Sequence, residues 1–397
     1  MNLEKKRWLI LAASCLITLC IGSLYGWSVF GSALAKELSV SSLAIVFTVA
    51  NAVGPITMIS GGYINDKLGP RLVLIIGGIL FGLGMFCSGF ASSTAMIIVT
   101  YGLGVGLGCG MVYGTVVSNA VKFFPDKSGF AGGLITACYG GSSIIVPIIA
   151  TAIVNSRDVF FAFKSIGIVM TIVILLCALI VDKCPDNFMR DGSAAAKAVP
   201  AGKDFSSAEM LRSGSFYLML IILTCGAFSG MMVISQASSM AQRMMSMTPS
   251  TAAAVVSLIA LFNMLGRLVS GTLSDKLGAI KTMTISFAIS VAANLLLGLV
   301  GKNSVAVFYI SLAAIGFCFG SVMGIYPGFT AKTFGRKNNS VNYGIMFIGF
   351  ALAGILGPMI MTNIYAATGG YAPAFFVAAA LGAAGEVLIA ILKKKQA

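Results

Sequence analysis

The chain has no histidine among its 397 residues, and only 12 acidic side chains against 26 basic ones. Without imidazole there is no histidine proton relay and no imidazole metal site. The nine cysteines include no C-x-x-C pair, and nearly all fall inside apolar runs. They read as small core residues, not as disulfides or metal ligands. The missing Gly-x-x-x-x-Gly-Lys-Ser/Thr loop excludes an ATP-driven pump within the chain. There is neither a nucleophile–base pair nor a metal-ligand cluster, so the residues point to no enzyme and call for no cofactor. Charged residues make up 10% of the chain, against about 25% in soluble domains, a deficit too large for a soluble fold. A membrane sensor or scaffold would carry a folded soluble domain, and no stretch reads as one. The net charge of +14 sits in short connections, not in a patch with interleaved aromatics, so no nucleic-acid partner is expected.

What the chain does have is apolar sequence, at 58%. Uncharged runs long enough to span a bilayer recur from end to end without strand-like alternation, which predicts a helical membrane protein and not a barrel. Twelve spans are expected, at 8–31, 42–63, 72–91, 95–120, 129–154, 160–181, 215–240, 251–273, 280–300, 304–331, 340–365 and 371–392. An even number places both termini on one side. With the N-terminus inside, twenty Lys and Arg fall in the inner connections and five in the outer ones. The positive-inside rule therefore predicts a multi-pass protein of the cell membrane with both termini cytoplasmic. Glu4, Lys5, Lys6 and Arg7 precede a run too long for a signal core and without an A-x-A site, so no cleaved leader is expected.

The chain divides and repeats. Its longest polar stretch, with the low-complexity run DGSAAAKAVPAGKD, separates residues 1–181 from 215–397 and reads as a cytoplasmic linker at 182–214. Within it, Ser206–Arg212 is either a short amphipathic surface segment or plain solvated linker. Gly62-Tyr-Ile-Asn-Asp66-Lys67-Leu68-Gly69 matches Gly271-Thr-Leu-Ser-Asp275-Lys276-Leu277-Gly278 at an offset of 209. Gly114 and Ala120-Val-Lys122-Phe-Phe resemble Gly324 and Lys332-Thr-Phe334 at an offset of 210. Duplication of this kind predicts an all-α fold of twelve transmembrane helices in two pseudo-symmetric six-helix bundles, with substrate between them at the midplane.

One residue breaks the apolar rule. Arg267 is the only charge from Thr251 to Leu273. It lies roughly 12 Å inside the Asp275 end of its span. An uncompensated arginine there costs about 3 kcal/mol or more. The position equivalent by repeat is Met58, so the scaffold accepts an apolar residue at that site. Arg267 therefore reads as an anion site, since its planar fork meets a carboxylate with two parallel hydrogen bonds. The alternative is an arginine satisfied by helix-end carbonyls.

The segment Gly61–Arg71, GGYINDKLGPR, resembles the loop between helices 2 and 3 of the major facilitator superfamily, G-x-x-x-D-[RK]-x-G-x-[RK]. Over twelve spans this resemblance covers the whole chain. It implies two bundles rocking about a central site, with Gly62, Asp66, Lys67, Gly69, Arg71, Gly271, Asp275, Lys276 and Gly278 in gating roles. Independently, Gly62 and Gly271 allow close backbone approach, and Asp66 can cap or pair across an interface.

A narrower resemblance is to the oxalate:formate antiporter family and its monocarboxylate-transporting relatives. It is carried by Gly22-Ser-Leu-Tyr25-Gly-Trp27-Ser28-Val-Phe30, similar to G-x-x-Y-x-W-S-x-F, and by Asn263-Met-Leu-Gly-Arg267, similar to N-x-x-x-R. In that family the arginine pairs with the substrate carboxylate. The dicarboxylate antiporter adds a lysine in helix 11, whereas the eleventh span here, Tyr343-Gly-Ile-Met-Phe347-Ile-Gly349-Phe350, has no basic residue. Animal monocarboxylate carriers place an aspartate where Asn263 stands.

The reading that follows is a secondary active transporter of a small monocarboxylate of the lactate, pyruvate or formate class. It works by alternating access, as anion exchange or proton symport, and acts as a monomer in the bilayer. Another organic anion, including oxalate:formate exchange or a larger amphipathic acid, is the alternative. Candidate substrate residues are Arg267, Asn263, Tyr25, Tyr113, Tyr139 and Tyr326. Asn263 is one turn from Arg267 and either orients it, bonds substrate or bonds a neighbouring helix. The tyrosines either close around the anion or satisfy their hydroxyls in the bundle. Trp27 reads as packing or an interface anchor, the run Gly102–Gly114 as close helix packing, and Pro147 and Pro358 as kinks. Of the acids only Glu386 lies inside a span, either reaching the inner interface or coupling transport to a proton.

Overall fold

The computed structural model describes residues 3–40, 43–185, 188 and 203–396. Twelve helices are long and apolar enough to cross a membrane. They are α1 (Leu3–Glu37), α2 (Ala44–Leu68), α3 (Pro70–Ser88), α4 (Thr94–Phe123), α5 (Ser128–Ser156), α6 (Val159–Ile180), α7 (Gly214–Met245), α8 (Ser250–Leu277), α9 (Ala279–Leu299), α10 (Val305–Phe334), α11 (Asn339–Thr368) and α12 (Ala372–Lys395). All the expected spans are present, and most are longer than their apolar cores because polar ends continue the hydrogen-bonded ladder. Among the described residues no strand occurs.

Glycine sets how closely the helices approach. Gly102, Gly106 and Gly110 recur every four residues on α4 and face α2, where added Cβ atoms would meet the carbonyls of Val46, Ala50 and Gly54. Gly104 and Gly108 turn the opposite face of α4 to Gly84 and Phe81 on α3. The Gly-rich run is thus a two-sided packing seam. Trp27 is buried against Tyr101 at 4.4 Å between ring centroids, so its role is packing. Three helices are locally irregular, α4 through a π-helical stretch at Ile98–Val105. α1 tightens into a 3₁₀ stretch at Gly22–Gly26, and α11 breaks at Phe347 between Asn339–Met346 and Ile348–Thr368.

The repeated loops build two matching joints at the face that carries the termini. Gly69 and Gly278 end α2 and α8 at φ +94° and +86°, a left-handed region that favours glycine, and each allows a tight turn into the next helix. The carboxylate before each turn reaches the other bundle. Asp66 accepts from the Ser340 and Val341 N–H groups at 3.4 and 3.1 Å, at the start of α11. Asp275 accepts from the Gly129 and Phe130 N–H groups at 2.9 and 2.8 Å, at the start of α5. The first-turn donors of a helix have no partner inside it and carry the positive end of its dipole, so a carboxylate is the matching group. Lys122 pairs with Asp66 at 2.6 Å and Lys332 with Asp275 at 3.2 Å, again at repeat-equivalent positions.

The glycines bring the backbones together at the same joints. A Cβ on Gly62 would stand 2.7 Å from the Ser340 carbonyl, and one on Gly271 would stand 2.4 Å from the Gly129 oxygen. Gly62→Ala is therefore expected to pry this face open. Spin labels at the exposed positions Leu68 and Lys337 should report a longer distance than in the wild-type protein, and an unchanged distance would show that the seam does not depend on this contact.

Of the expected linker, 182–214, residues 186–187 and 189–202 lie outside the described residues. Its last part is docked. Ser206–Arg212 opens with a capping box and forms a helix over Ser207–Arg212 with Met210 buried. The Ser206 backbone N–H, then its hydroxyl and the neighbouring Lys203, hold the Glu209 carboxyl down at about 2. Asp204 accepts from the Arg336 and Lys337 N–H groups, and the Phe205 carbonyl from Asn338 and Asn342, so the segment is fastened to the turn that leads into α11.

Candidate functional site

Arg267 lies in the middle of α8, only 2% exposed. Its Nε donates to Asn263 Oδ1 at 2.8 Å, one turn away on the same helix. Its Nη1 donates to the Thr136 carbonyl of α5 at 2.9 Å, across the seam between the bundles. Tyr25 of α1 lies near enough to the same guanidinium to feel its charge. Among the described residues none of the ion pairs involves Arg267. A buried cation without a counter-ion is costly, and it gains most from an anion that brings its own charge. Asn263 Nδ2 is likewise buried with no hydrogen-bond partner among the described residues. Two unsatisfied demands, one for charge and one for an acceptor, thus meet at one point.

The repeat explains how the backbone is arranged there. Gly324 on α10 and Gly133 on α5 press on the main chain of Arg267. Gly344 on α11 presses likewise on the main chain of Met58, and Gly114 on α4 meets the Met58 side chain. Glycines at matching positions of the two halves thus flank both residues.

Aromatic rings continue from the guanidinium into both bundles. The Arg267 Cζ is 6.0 Å from the ring centroid of Phe319 on α10. Phe319 stacks with Phe350 at 6.2 Å, and Phe350 with Phe347 at 4.6 Å. Phe347 meets Tyr113 at 5.6 Å, Tyr113 meets Tyr139 at 4.8 Å, and Tyr139 meets Tyr25 at 5.3 Å. The series returns to Arg267 through Tyr25. It is possible because Gly22 lets α1 approach the Tyr139 carbonyl of α5, and because Gly230 makes room for Phe319 against α7. One of the hydroxyls is engaged, that of Tyr139, which lies 3.5 Å from Cys109 Sγ.

The structure therefore brings together Arg267, Asn263, Tyr25, Tyr113 and Tyr139. It places Tyr326 elsewhere, fully buried with its hydroxyl donating to the Met219 carbonyl of α7 at 2.7 Å. Of the loop residues, Gly62, Asp66, Gly271 and Asp275 lie on the seam between bundles. Lys67 turns back to its neighbour Tyr63, Arg71 pairs with Asp182 at 2.7 Å inside the N-terminal bundle, and Lys276 is exposed. Glu386 is half-buried on α12, with Oε1 unpartnered among the described residues. Lys164 lies over the ring of Phe90, away from the site. Sequence reasoning missed Phe319, Phe347 and Phe350, which look like any aromatic in an apolar run, and the roles of Lys122 and Lys332, whose matched positions were visible in the repeat.

Comparison with known proteins bears on the chain as a whole. The family model described as Major Facilitator Superfamily matches residues 8–358 and again 219–396. The oxalate:formate antiporter of Oxalobacter formigenes is 30% identical over 381 residues, covering 94% of this chain and 88% of that protein. An uncharacterized MFS-type transporter of Escherichia coli K12, YhjX, is 29% identical over 356 residues, covering 89% and 87%. Among solved structures, the fucose:proton symporter of E. coli superimposes with a TM-score of 0.73 at 16% identity, covering 97% of this chain and 98% of that one. At that identity the likeness concerns the fold.

Proposed function

This chain belongs to the major facilitator superfamily, and on that premise we propose that it carries a small monocarboxylate across the membrane by alternating access. The observation that carries this reading is Arg267, buried at the seam between the bundles with no carboxylate paired to it among the described residues. The substrate carboxylate takes the place of the missing counter-ion, with Asn263 Nδ2 as a second donor and Tyr25 beside it. Tyr113 and Tyr139 wall the site from the N-terminal bundle. Arg267 belongs to one bundle and the tyrosines to the other, so an anion held between them draws the halves together.

The resemblance to an oxalate:formate antiporter supports an organic anion, and the number of charges narrows it. The eleventh helix contributes Phe347 and Phe350 to the ring and no cation. One buried cation neutralises one carboxylate, and a second carboxylate in the same site stays unpaired at a cost of several kcal/mol. Among the described residues no carboxylate side chain pairs with Arg267 to hold a coupling proton. The transport cycle therefore exchanges one anion for another, or moves the proton on the neutral acid.

At the face carrying the termini, which the charge bias makes cytoplasmic, Asp66 and Asp275 with Lys122 and Lys332 act as two latches. They hold that face shut and release when the bundles rock. The test is counterflow in proteoliposomes loaded in turn with lactate, pyruvate, formate and oxalate. Exchange of the monocarboxylates without oxalate is the expected result. Efficient oxalate exchange would refute the single-charge argument.

A further inference from the structure

We propose that the substrate is a monocarboxylate with a short apolar tail, and that Phe319, Phe347 and Phe350 select that tail; this rests on the reading of Arg267 as the carboxylate partner. The ring around the site is chemically divided. Its polar demand is concentrated at one end, in the Arg267 guanidinium, the unpartnered Asn263 Nδ2 and the Tyr25 hydroxyl. From Arg267 the C-terminal bundle then presents three phenyl rings in succession. Phe319 and Phe350 are near-parallel at an interplanar angle of 12°, and Phe350 and Phe347 at 28°. Phe347 and Phe350 are only half-buried, so their faces are not fully consumed by packing. Across from them, Tyr113 turns its ring to Phe347 and Tyr139, and the Tyr139 hydroxyl already has Cys109 Sγ at 3.5 Å, so this wall offers mainly ring surface.

A carboxylate on Arg267 places carbon 2 of an acid beside Asn263 and Tyr25, where a hydroxyl or oxo group finds a partner. Carbon 3 and beyond lie along the phenyl rings. There a methylene gains from leaving water, and a hydroxyl or second carboxylate loses its hydrogen bonds without replacement. Two isomers of one composition separate these effects. Lactate carries its hydroxyl on carbon 2, and 3-hydroxypropionate carries it on carbon 3.

The experiment is counterflow by the purified full-length protein in proteoliposomes, reading the half-saturating concentration of formate, acetate, propionate, butyrate, lactate and 3-hydroxypropionate. Affinity should rise about fourfold per methylene from acetate to butyrate. Lactate should bind tighter than 3-hydroxypropionate by on the order of tenfold. Phe350→Tyr, which adds a hydroxyl to the apolar wall, should shrink the advantage of butyrate over acetate from about 16-fold to a few-fold. Isomers that exchange alike in the wild-type protein, or formate exchanging at lower concentration than butyrate, would overturn the apolar-tail assignment while leaving the carboxylate reading intact. Exchange that survives Arg267→Met removes both.

Discussion

Replacing Arg267 with methionine abolishes counterflow, while the purified protein melts at the same temperature or higher. The two halves of this prediction come from one comparison. Met58 occupies the repeat-equivalent position, flanked by glycines at matching positions, so methionine fits the backbone environment of position 267. The arginine itself is a burden to the fold, because a guanidinium in the middle of a span costs about 3 kcal/mol or more by insertion scales. Against that gain, the variant leaves Asn263 Oδ1 and the Thr136 carbonyl without the donor they now share, which returns a part of it.

Binding is affected in the opposite direction. Two charge-assisted hydrogen bonds to a carboxylate, at about 1.5–3 kcal/mol each, are worth a factor of at least 10² in affinity. Arg267→Lys keeps the charge but not the fork, and it cannot serve Asn263, Thr136 and a substrate at once. It should weaken exchange by about tenfold or more and not rescue it fully. Melting curves and counterflow rates on the same preparation check both effects. A methionine variant that exchanges normally, or one that melts well below wild type, would show that Arg267 is structural.

The second large effect is expected at the latches. Asp66→Asn and Asp275→Asn each remove a carboxylate that accepts from the N–H groups opening a helix of the other bundle and that neutralises a lysine. The helix-terminus interaction and the charge-assisted bonds together amount to about 3 kcal/mol per latch. Either variant should therefore lower the ratio of closed to open states at this face by about 10²-fold, and the double variant should hold it open. Spin-label distances across the seam would lengthen, and turnover would fall because the closed state becomes rare. Binding of substrate to the open form should persist, since neither aspartate touches Arg267. Distances and rates that match wild type in both single variants would mean that the seam is held by its glycine contacts alone.

Much of this protein was legible before any coordinates. Twelve spans follow from run length, because a bilayer leaves the backbone no choice but to satisfy its hydrogen bonds within each helix. Arg267 was legible because a lone charge in a span stands against a steep energetic penalty, and Met58 because the repeat aligns it. The glycines of the repeated loop announced close approach, which Gly62 against Ser340 and Gly271 against Gly129 display. Tyr326 shows the limit of such reading. A tyrosine in a span signals only that its hydroxyl needs a partner, and here the partner is the Met219 carbonyl and not a site.

The sequence by itself determined what each segment must be: how many helices, which residue is the lone charge inside a span, and which positions are duplicates. These are properties of a chain and its solvent, and they act on each segment alone. Tertiary structure alone decided which side chains meet. Phe319, Phe350 and Phe347 carry no mark that separates them from other aromatics of the chain, and they form one series leading from Arg267 only because α10 and the broken α11 bring their rings together. Asp66 and Asp275 are readable as turn residues. That each caps a helix of the opposite bundle depends on the rotation of one half against the other, which side-chain chemistry does not encode locally and only packing across the seam fixes.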